Sequence, residues 1–192
     1  MAVKIGVLAL QGDFAEHAAM LTRVGAHPCE IRRPEQLEGL HGLIIPGGES
    51  TTIGKLMERY GFMAPLRARA HAGFPLWGTC AGLILMATNV GREQPLLGIL
   101  DITVERNAFG RQIDSFETDV TVDGLIDGPL HAVFIRAPVV RRIAPAVAPI
   151  GRLADGTVVA VRSGRLFGTA FHPELTDDPR LHAMFVATAA DA

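Results

Sequence analysis

The chain has 192 residues, of which 48% are hydrophobic and 20% are charged, and its formal net charge is -2. This length suits one domain with a single core, and the near-neutral charge gives no reason to expect a nucleic acid as partner. No apolar run approaches a membrane span or a secretory signal, and the two cysteines predict neither a disulfide framework nor a structural metal. We therefore expect one cytoplasmic domain over residues 1–192, without membrane contact, metal or cofactor.

Strand-like and helix-like segments alternate through the first half of the chain. Apolar runs predict buried strands over residues 3–10, 28–32 and 75–78 and in the run GLII before Pro46. Helical spacing predicts helices over residues 14–24, 50–60 and 63–72 and from Ala81 onwards, with Asp13 and Ser50 as N-caps. Strands that are apolar on both faces and alternate with helices predict a parallel sheet covered on both sides.

The second half of the chain changes to short β-like runs joined by Gly-containing turns. These predicted strands cover residues 99–106, 116–122, 132–135, 147–153, 157–161 and 166–171, and a last helix is predicted over residues 179–189. The Pro-rich stretch APVVRRIAPAVAPIG is expected to be an irregular surface connection.

The stretch PGGESTTIGKL, residues 46–56, is similar to a phosphate-binding loop but departs from it twice. Five residues lie between Gly48 and Gly54, where a P-loop has four, and Leu56 follows Lys55 where a P-loop needs a hydroxyl for magnesium. The glycine pair before Glu49 therefore needs another explanation.

The stretch WGTCAG places Cys80 on a predicted strand-to-helix turn between two glycines. This is the pattern of a nucleophile elbow, in which small neighbours permit a strained turn and the helix N-terminus favours the thiolate. The next residue, Ala81, can supply a backbone N–H to an oxyanion. The alternative is that Cys80 is a small buried hydrophobe.

The stretch FHPEL supplies a base and an orienting group. In an extended segment the side chains of His172 and Glu174 share a face, so the carboxylate can hold the imidazole in one tautomer, and Pro173 suits a strand end. The alternative is a His-Pro turn with a solvated Glu. The other histidines are expected to be surface or capping residues: His17, His27, His41, His71, His131 and His182.

Cys80, His172 and Glu174 together supply a nucleophile, a general base and its orienter. A Gly-Gly loop at the end of a neighbouring strand can bring a second N–H to the oxyanion that forms in acyl chemistry. Gly47 and Gly48 are suited to that use.

Several stretches resemble the glutaminase subunits of pyridoxal 5′-phosphate synthase, which are class I triad glutamine amidotransferases. These stretches are GVLALQG, RRPEQL, LIIPGGESTTIGKL, GTCAGLILMA, VERNAFGRQIDSFE, FIRAP and FHPELTDD. The resemblance extends over nearly the whole chain. It implies a flavodoxin-like, three-layer α/β/α fold with a mainly parallel sheet and added antiparallel strands.

The resemblance also implies residue roles. Cys80 would attack the side-chain amide of L-glutamine, His172 would protonate the departing ammonia and then activate water against the γ-glutamyl thioester, and Glu174 would orient His172. The implied oxyanion hole consists of Gly47, Gly48 and Ala81. The implied glutamine pocket consists of Gly48, Glu49, Ser50, Arg106, Ile135 and Arg136. A zwitterionic substrate needs both charge signs, but the sequence leaves open which arginine binds its carboxylate.

The implied partner is a separate synthase subunit that receives the ammonia. The glutaminase would sit on the outside of a multimeric synthase core, nearly idle until docked, and its oxyanion loop would reorganise on binding. Gln11 would bear on this loop or the docking face, or only stabilise a turn.

Two other functions remain open at this point. One is the glutaminase of another amidotransferase, such as that of imidazole glycerol phosphate synthesis, although CAGLIL lacks the Gln typical after that nucleophile. The other is a non-hydrolytic cysteine sensor or chaperone of the DJ-1 type, which would leave His172 and Glu174 without a use.

Overall fold

The computed structural model describes residues 2–106 and 115–191. Residues 107–114, which include most of the motif VERNAFGRQIDSFE, therefore lie outside the described residues. The strands within the described ranges are β1 (Lys4–Leu8), β2 (His27–Ile31), β3 (Gly42–Ile45), β4 (Leu76–Thr79), β5 (Ala87–Asn89), β6 (Leu100–Glu105), β7 (Ser115–Val122), β8 (Leu130–Ile135), β9 (Val139–Ile143), β10 (Ala148–Arg152), β11 (Val158–Ser163) and β12 (Leu166–Thr169). The helices are α1 (Phe14–Arg23), α2 (Ser50–Arg59), α3 (Met63–His71), α4 (Ala81–Met86) and α5 (Arg180–Ala190), with 3₁₀ turns at Pro34–Leu37 and Pro173–Leu175.

One curved sheet contains a parallel half and an antiparallel half. The parallel half has the order β2-β1-β3-β4-β12. The antiparallel strands β11, β10, β7 and β8 continue this order, and β9 and β6 branch from β11. The predicted α/β class, with antiparallel strands added to a mainly parallel sheet, is confirmed.

The helices cover both faces of the parallel half. The chain moves from β1 to β2 in one direction and from β3 to β4 in the other, so right-handed crossovers place α1 and α2 on opposite faces. Helix α5 packs with α1, and α4 packs with α2. Strands β3 and β4 are consequently buried along their whole length, as their apolar sequences predict.

Two expectations about the second half of the chain were incomplete or wrong. The Pro-rich stretch expected to be irregular contains β9, which pairs with β6 and β11 and buries Val139 and Val140. Its strand character is hidden because Arg141 and Arg142 follow, and they are exposed and paired with Glu105 and Asp101, both on β6. The short strand β5 was also not predicted.

One of the two predicted N-caps lies one residue away from the observed one, and the other is at the predicted position without a side-chain bond. Ser50 is the first residue of α2, and Glu49 caps the helix by accepting from the backbone N–H groups of Thr51 and Thr52. Asp13 occupies the N-cap position of α1, but its side chain makes no capping hydrogen bond. Both carboxylates lie at the carboxyl end of the parallel strands. Among residues 2–106 and 115–191, no helix has the length and hydropathy needed to cross a bilayer.

Candidate active site

Cys80 lies on a tight turn between β4 and α4. Its φ of 47° and ψ of -97° are rare for a residue with a side chain, which indicates local strain. Two glycines permit the turn, because a Cβ on Gly78 would lie 2.4 Å from the carbonyl carbon of Gly82, and one on Gly82 would lie 2.0 Å from the carbonyl oxygen of Ile45. The turn is tied to β12 by the Cys80 N–H, which donates to the Thr169 carbonyl at 2.8 Å.

His172 and Glu174 follow β12 and meet by a different geometry from the one predicted. The expectation of an extended segment is wrong, because Pro173 begins a 3₁₀ turn that brings the Glu174 carboxylate back to the imidazole. The Nδ1 atom of His172 lies 2.7 Å from Oε1 of Glu174. The backbone N–H of His172 donates to the Val133 carbonyl at 2.8 Å, which fixes this turn against β8. Both side chains are buried.

His172 is held in its protonated form. Burial opposes the positive charge, but hydrogen bonds with Asp13, Cys80 and Glu174 outweigh it and raise the pKa of His172 to about 12. Burial raises the pKa of Glu174, while its hydrogen bond with His172 acts in the opposite direction. We place the shared proton on His172, because a second carboxylate, that of Asp13, also faces its Nδ1 atom at 3.4 Å.

Asp13 occupies the predicted N-cap position of α1, but its carboxylate belongs to this cluster and makes no capping bond. The donor atoms of Asp13, His172 and Glu174 lie within 4.8 Å of one another, a spacing at which a metal ion can be held. However, His172 Nδ1 is already within hydrogen-bond distance of Glu174 Oε1 at 2.7 Å. We therefore interpret the cluster as one imidazolium between two carboxylates.

The glycine pair after β3 passes directly against the imidazole. A Cβ on Gly47 would lie 2.4 Å from Cε1 of His172, and one on Gly48, whose φ is +147°, would lie 2.7 Å from Oε1 of Gln11. The Gly47 carbonyl accepts from the Asp13 N–H at 3.1 Å, and the Glu49 N–H donates to Gln11 Oε1 at 2.8 Å. Gln11 therefore bears on this loop, and the loop is tied to the start of α1.

A cavity of about 400 Å³ opens over Cys80. Its lining includes every residue predicted to bind glutamine: Gly48, Glu49, Ser50, Arg106, Ile135 and Arg136. Gln11, Asp13 and Ile84 also line it. A second cavity, of about 590 Å³ along α5, is larger but contains none of the predicted site residues, so the chemistry lies in the smaller one.

The cavity carries both signs of charge. Hydrogen bonds from Thr52 and Thr51 outweigh the effect of burial and lower the pKa of Glu49 to about 2, so this carboxylate is ionised. Arg106 lies 3.3 Å from Glu49 Oε1, and its Nη1 atom donates to Gln94 Oε1 at 2.8 Å. Arg136 is exposed with a φ of 43°, and among the described residues none bonds to its guanidinium.

Two histidines expected at the surface are fully buried behind the triad. His17 lies on α1 and His182 on α5, and both have 0% exposure. For His17 the sequence contained a usable signal, because it shares the apolar face of α1 with Met20 and Leu21 at helical spacing. His27, His41, His71 and His131 are exposed, as expected.

The fold and the site define the class of protein. A solved structure described as a glutamine amidotransferase matches with a TM-score of 0.92 and 54% identity, covering 97% of this chain and 98% of that one. A relative from Frankia alni, a pyridoxal 5′-phosphate synthase subunit PdxT, is 57% identical over 95% of this chain and 93% of its own length. The subunit of the same name from a Roseiflexus species is 55% identical over 95% of this chain and 98% of its own length.

These similarities narrow the class to one family. The profile of the SNO glutamine amidotransferase family matches residues 7–191. The chain belongs to that family.

Proposed function

We propose that the chain is the glutaminase subunit of a pyridoxal 5′-phosphate synthase, which hydrolyses L-glutamine to L-glutamate and ammonia. One observation carries the proposal: Cys80, on its strained turn, lines a charged cavity together with His172, which a buried carboxylate orients. The 57% identity to a PdxT subunit selects this glutaminase over those of other amidotransferases. A DJ-1 type sensor would leave the bond between His172 and Glu174 without a use.

The geometry supports a two-step acyl transfer. The Cys80 thiolate attacks the amide carbon of glutamine, and the protonated His172 gives its proton to the departing ammonia. His172, now neutral, takes a proton from a water molecule that attacks the γ-glutamyl thioester, which releases glutamate and restores the thiolate. Glu174 keeps the imidazole oriented in both steps.

Oxyanion stabilisation falls to backbone N–H groups. Ala81 begins α4, so its N–H has no partner within the helix. The loop at Gly47 and Gly48 contributes the second donor after it rearranges. In the undocked chain the Gly47 carbonyl accepts from the Asp13 N–H, and this bond must break before the peptide between the two glycines can turn. Each such donor is worth on the order of a hundredfold to a thousandfold in rate.

The cavity matches the zwitterionic end of glutamine. The ionised Glu49 suits the ammonium group, and Arg106 and Arg136 suit the carboxylate. Ser50 supplies a further polar group, because its buried hydroxyl has no hydrogen-bond partner among the described residues. The backbone of Ile135 closes the wall, with its carbonyl oxygen 3.9 Å from Cys80 Sγ.

The proposal also covers the assembly of the chain with its partner and its location in the cell. The chain acts as one domain in the cytoplasm and docks on the outside of a multimeric synthase core, to which it passes ammonia as part of a lyase complex. Docking would rearrange the loop at Gly47 and Gly48, and Gln11, which is bonded to that loop, links it to the start of α1.

The test is ammonia release from glutamine in the presence of a pyridoxal 5′-phosphate synthase subunit. We expect Cys80→Ala to lower the rate by about a thousandfold or more, since no other nucleophile replaces the thiolate. The matched control is Cys29→Ala, on the half-buried strand β2, which should keep the full rate. Equal rates for the wild-type protein and Cys80→Ala would overturn the assignment.

Partner choice is tested by gel filtration with the synthase subunit, with and without glutamine. Co-elution is expected. If the two proteins elute separately while another synthase activates ammonia release, the chain belongs to a sister pathway.

A further inference from the structure

A chain of buried polar side chains continues from the triad into the protein interior. His17 Nε2 lies 3.3 Å from Glu174 Oε2 and 3.1 Å from the Thr79 hydroxyl oxygen. His17 Nδ1 lies 2.9 Å from His182 Nε2. His17 does not line the cavity, so it acts on the reacting groups through its buried contacts with Glu174 and Thr79.

Both interior histidines are neutral. Burial, followed by the nearby His182 and His172, lowers the pKa of His17 well below its usual value. Burial lowers the pKa of His182 to about 3. Each ring therefore carries one N–H, and the position of that proton decides which atoms it can stabilise.

The contacts of Glu174 select one tautomer for His17. Oε1 of Glu174 accepts from His172, while Oε2 is buried without a hydrogen-bond partner among the described residues. A bare Nε2 on His17 would place its lone pair 3.3 Å from this carboxylate oxygen, which is repulsive. A proton on Nε2 is attracted by Oε2 and also bonds to the Thr79 oxygen.

The tautomer of His182 follows from that of His17. If Nε2 of His17 carries the proton, Nδ1 of His17 must accept, so His182 donates through Nε2. The leftover atom is Nδ1 of His182, which has no partner within the described residues. As a bare acceptor it costs less than the orphaned N–H that the opposite tautomer would bury there.

We propose that His17 is a positioning residue of the active site: its Nε2–H, set by His182, steadies the second carboxylate oxygen of Glu174 and so aligns His172. This inference rests on the proposed glutaminase function. It extends the orienting system beyond Glu174 to α1 and α5, the two helices that pack together on one face of the sheet.

Kinetics with the synthase subunit present test the role of His17. We expect His17→Leu to lower kcat roughly tenfold, because the buried carboxylate of Glu174 loses a nearby N–H dipole, with KM changed less than about twofold. His17→Gln, which keeps a side-chain N–H, should recover most of kcat. The control His71→Gln, exposed at the end of α3, should match the wild-type protein.

The pH profile separates positioning from a general loss of stability. Without the His17 donor, protonation of Glu174 becomes easier, so the acid limb of kcat should move to higher pH in His17→Leu and return in His17→Gln. An unchanged kcat and acid limb in His17→Leu would overturn the inference.

A measurement on the unmodified protein does not depend on activity or on any variant folding. Nitrogen-15 NMR of the imidazole rings should show the Nε2–H tautomer for both His17 and His182. A His17 ring protonated on Nδ1 would overturn the inference. If the wild-type protein and its synthase partner release no ammonia, the proposed function fails, and the tautomers still report whether Glu174 is held as inferred.

Discussion

The parallel and antiparallel halves of the sheet contribute to the pocket in different ways. In the parallel half, the functional groups follow the carboxyl ends of strands: Gly47 after β3, Cys80 after β4 and His172 after β12. In the antiparallel half, Arg106 follows β6 and Arg136 follows β8, and both reach the pocket as charged side chains. The groups proposed to react thus come from the half that helices cover on both faces.

The two halves also differ in how tightly each residue is constrained. In the parallel half the backbone of two glycines lies so close to its neighbours that an added Cβ would collide. The Cβ would lie 2.4 Å from Cε1 of His172 at Gly47 and 2.0 Å from the Ile45 carbonyl oxygen at Gly82. In the antiparallel half Arg136 is exposed. Changes in the parallel half should therefore disturb the chemical step, and changes to Arg106 and Arg136 should disturb substrate binding.

Among the substitutions that test this difference between the halves, Gly47→Ala is expected to have the largest effect. The added methyl group would lie 2.4 Å from Cε1 of His172, so either the loop or the imidazole must move. A displacement of about 1 Å at the reacting groups costs on the order of a hundredfold in rate. We expect kcat for ammonia release with the synthase subunit to fall by about that factor.

The control for this prediction is Gly91→Ala. Gly91 has a φ of +69°, and no atom of the described residues lies within 4 Å of the added Cβ, so the substitution costs about 1 kcal/mol of backbone strain without touching the site. Its kcat should equal that of the wild-type protein. A Gly47→Ala enzyme with kcat within twofold of the wild type would show that His172 does not need the space that this glycine leaves.

The same difference between the halves explains what the sequence predicted. The glycine-flanked Cys80 was predictable, because a strained turn restricts which residues can occupy it. The pairing of His172 with Glu174 was predicted from their spacing, although the extended geometry expected for it was wrong. The place of Asp13 in the site was not predicted, since an acidic residue before a helix is usually its cap, and only the tertiary fold brings it to His172. The buried His182 was missed because α5 packs it against Trp77, a contact between distant parts of the sequence.

The antiparallel half was less predictable for a related reason. The strand β9 has two exposed arginines and adjacent prolines, so its local pattern resembles a loop, and only pairing with β6 and β11 makes it a strand. Arg106 and Arg136 are ordinary solvated charges by local pattern. Their candidacy came from the family resemblance, and the fold brings both to one cavity.

A smaller effect, on binding, is expected from Arg106→Ala and Arg136→Ala. Each removes a cation that lines the cavity and that we propose binds the substrate carboxylate. Losing one charge-assisted hydrogen bond should raise KM for glutamine by roughly tenfold or more. We expect kcat to stay within a few-fold, in contrast with Gly47→Ala. Steady-state kinetics with the synthase subunit measure both parameters.

The control is Arg141→Ala, in the same half of the sheet. Arg141 is an exposed partner of Glu105 on the neighbouring strand, so its loss should leave KM unchanged and cost less than about 1 kcal/mol of stability. If Arg106→Ala and Arg136→Ala lower kcat with KM unchanged, the two halves do not divide chemistry from binding.

The last effect concerns stability and its dependence on pH, with no change in the reaction. Burial lowers the pKa of His182, which packs on the parallel half, to about 3. In the unfolded chain the pKa of this residue returns to about 6.5. Between these values the unfolded state binds a proton that the folded state does not, so the free energy of unfolding should fall as the pH falls through this window. His182→Leu should make the free energy of unfolding fall less steeply. Part of the fall should remain, because burial also lowers the pKa of His17.

In the antiparallel half, one histidine should change the free energy of unfolding with pH in the opposite direction. Hydrogen bonds to Glu117 and then Asp119 raise the pKa of the exposed His131 on β8, so its contribution to stability is fully present below about pH 6.5 and is lost as the pH rises through the folded pKa. His131→Gln should therefore make the acid loss slightly steeper. Urea unfolding of both variants between about pH 4 and pH 8 gives the slopes. If the free energy of unfolding falls equally steeply with pH in His182→Leu and in the wild-type protein, His182 accepts a proton in the folded state. The group that donates to His17 would then be a charged ring and not the neutral one.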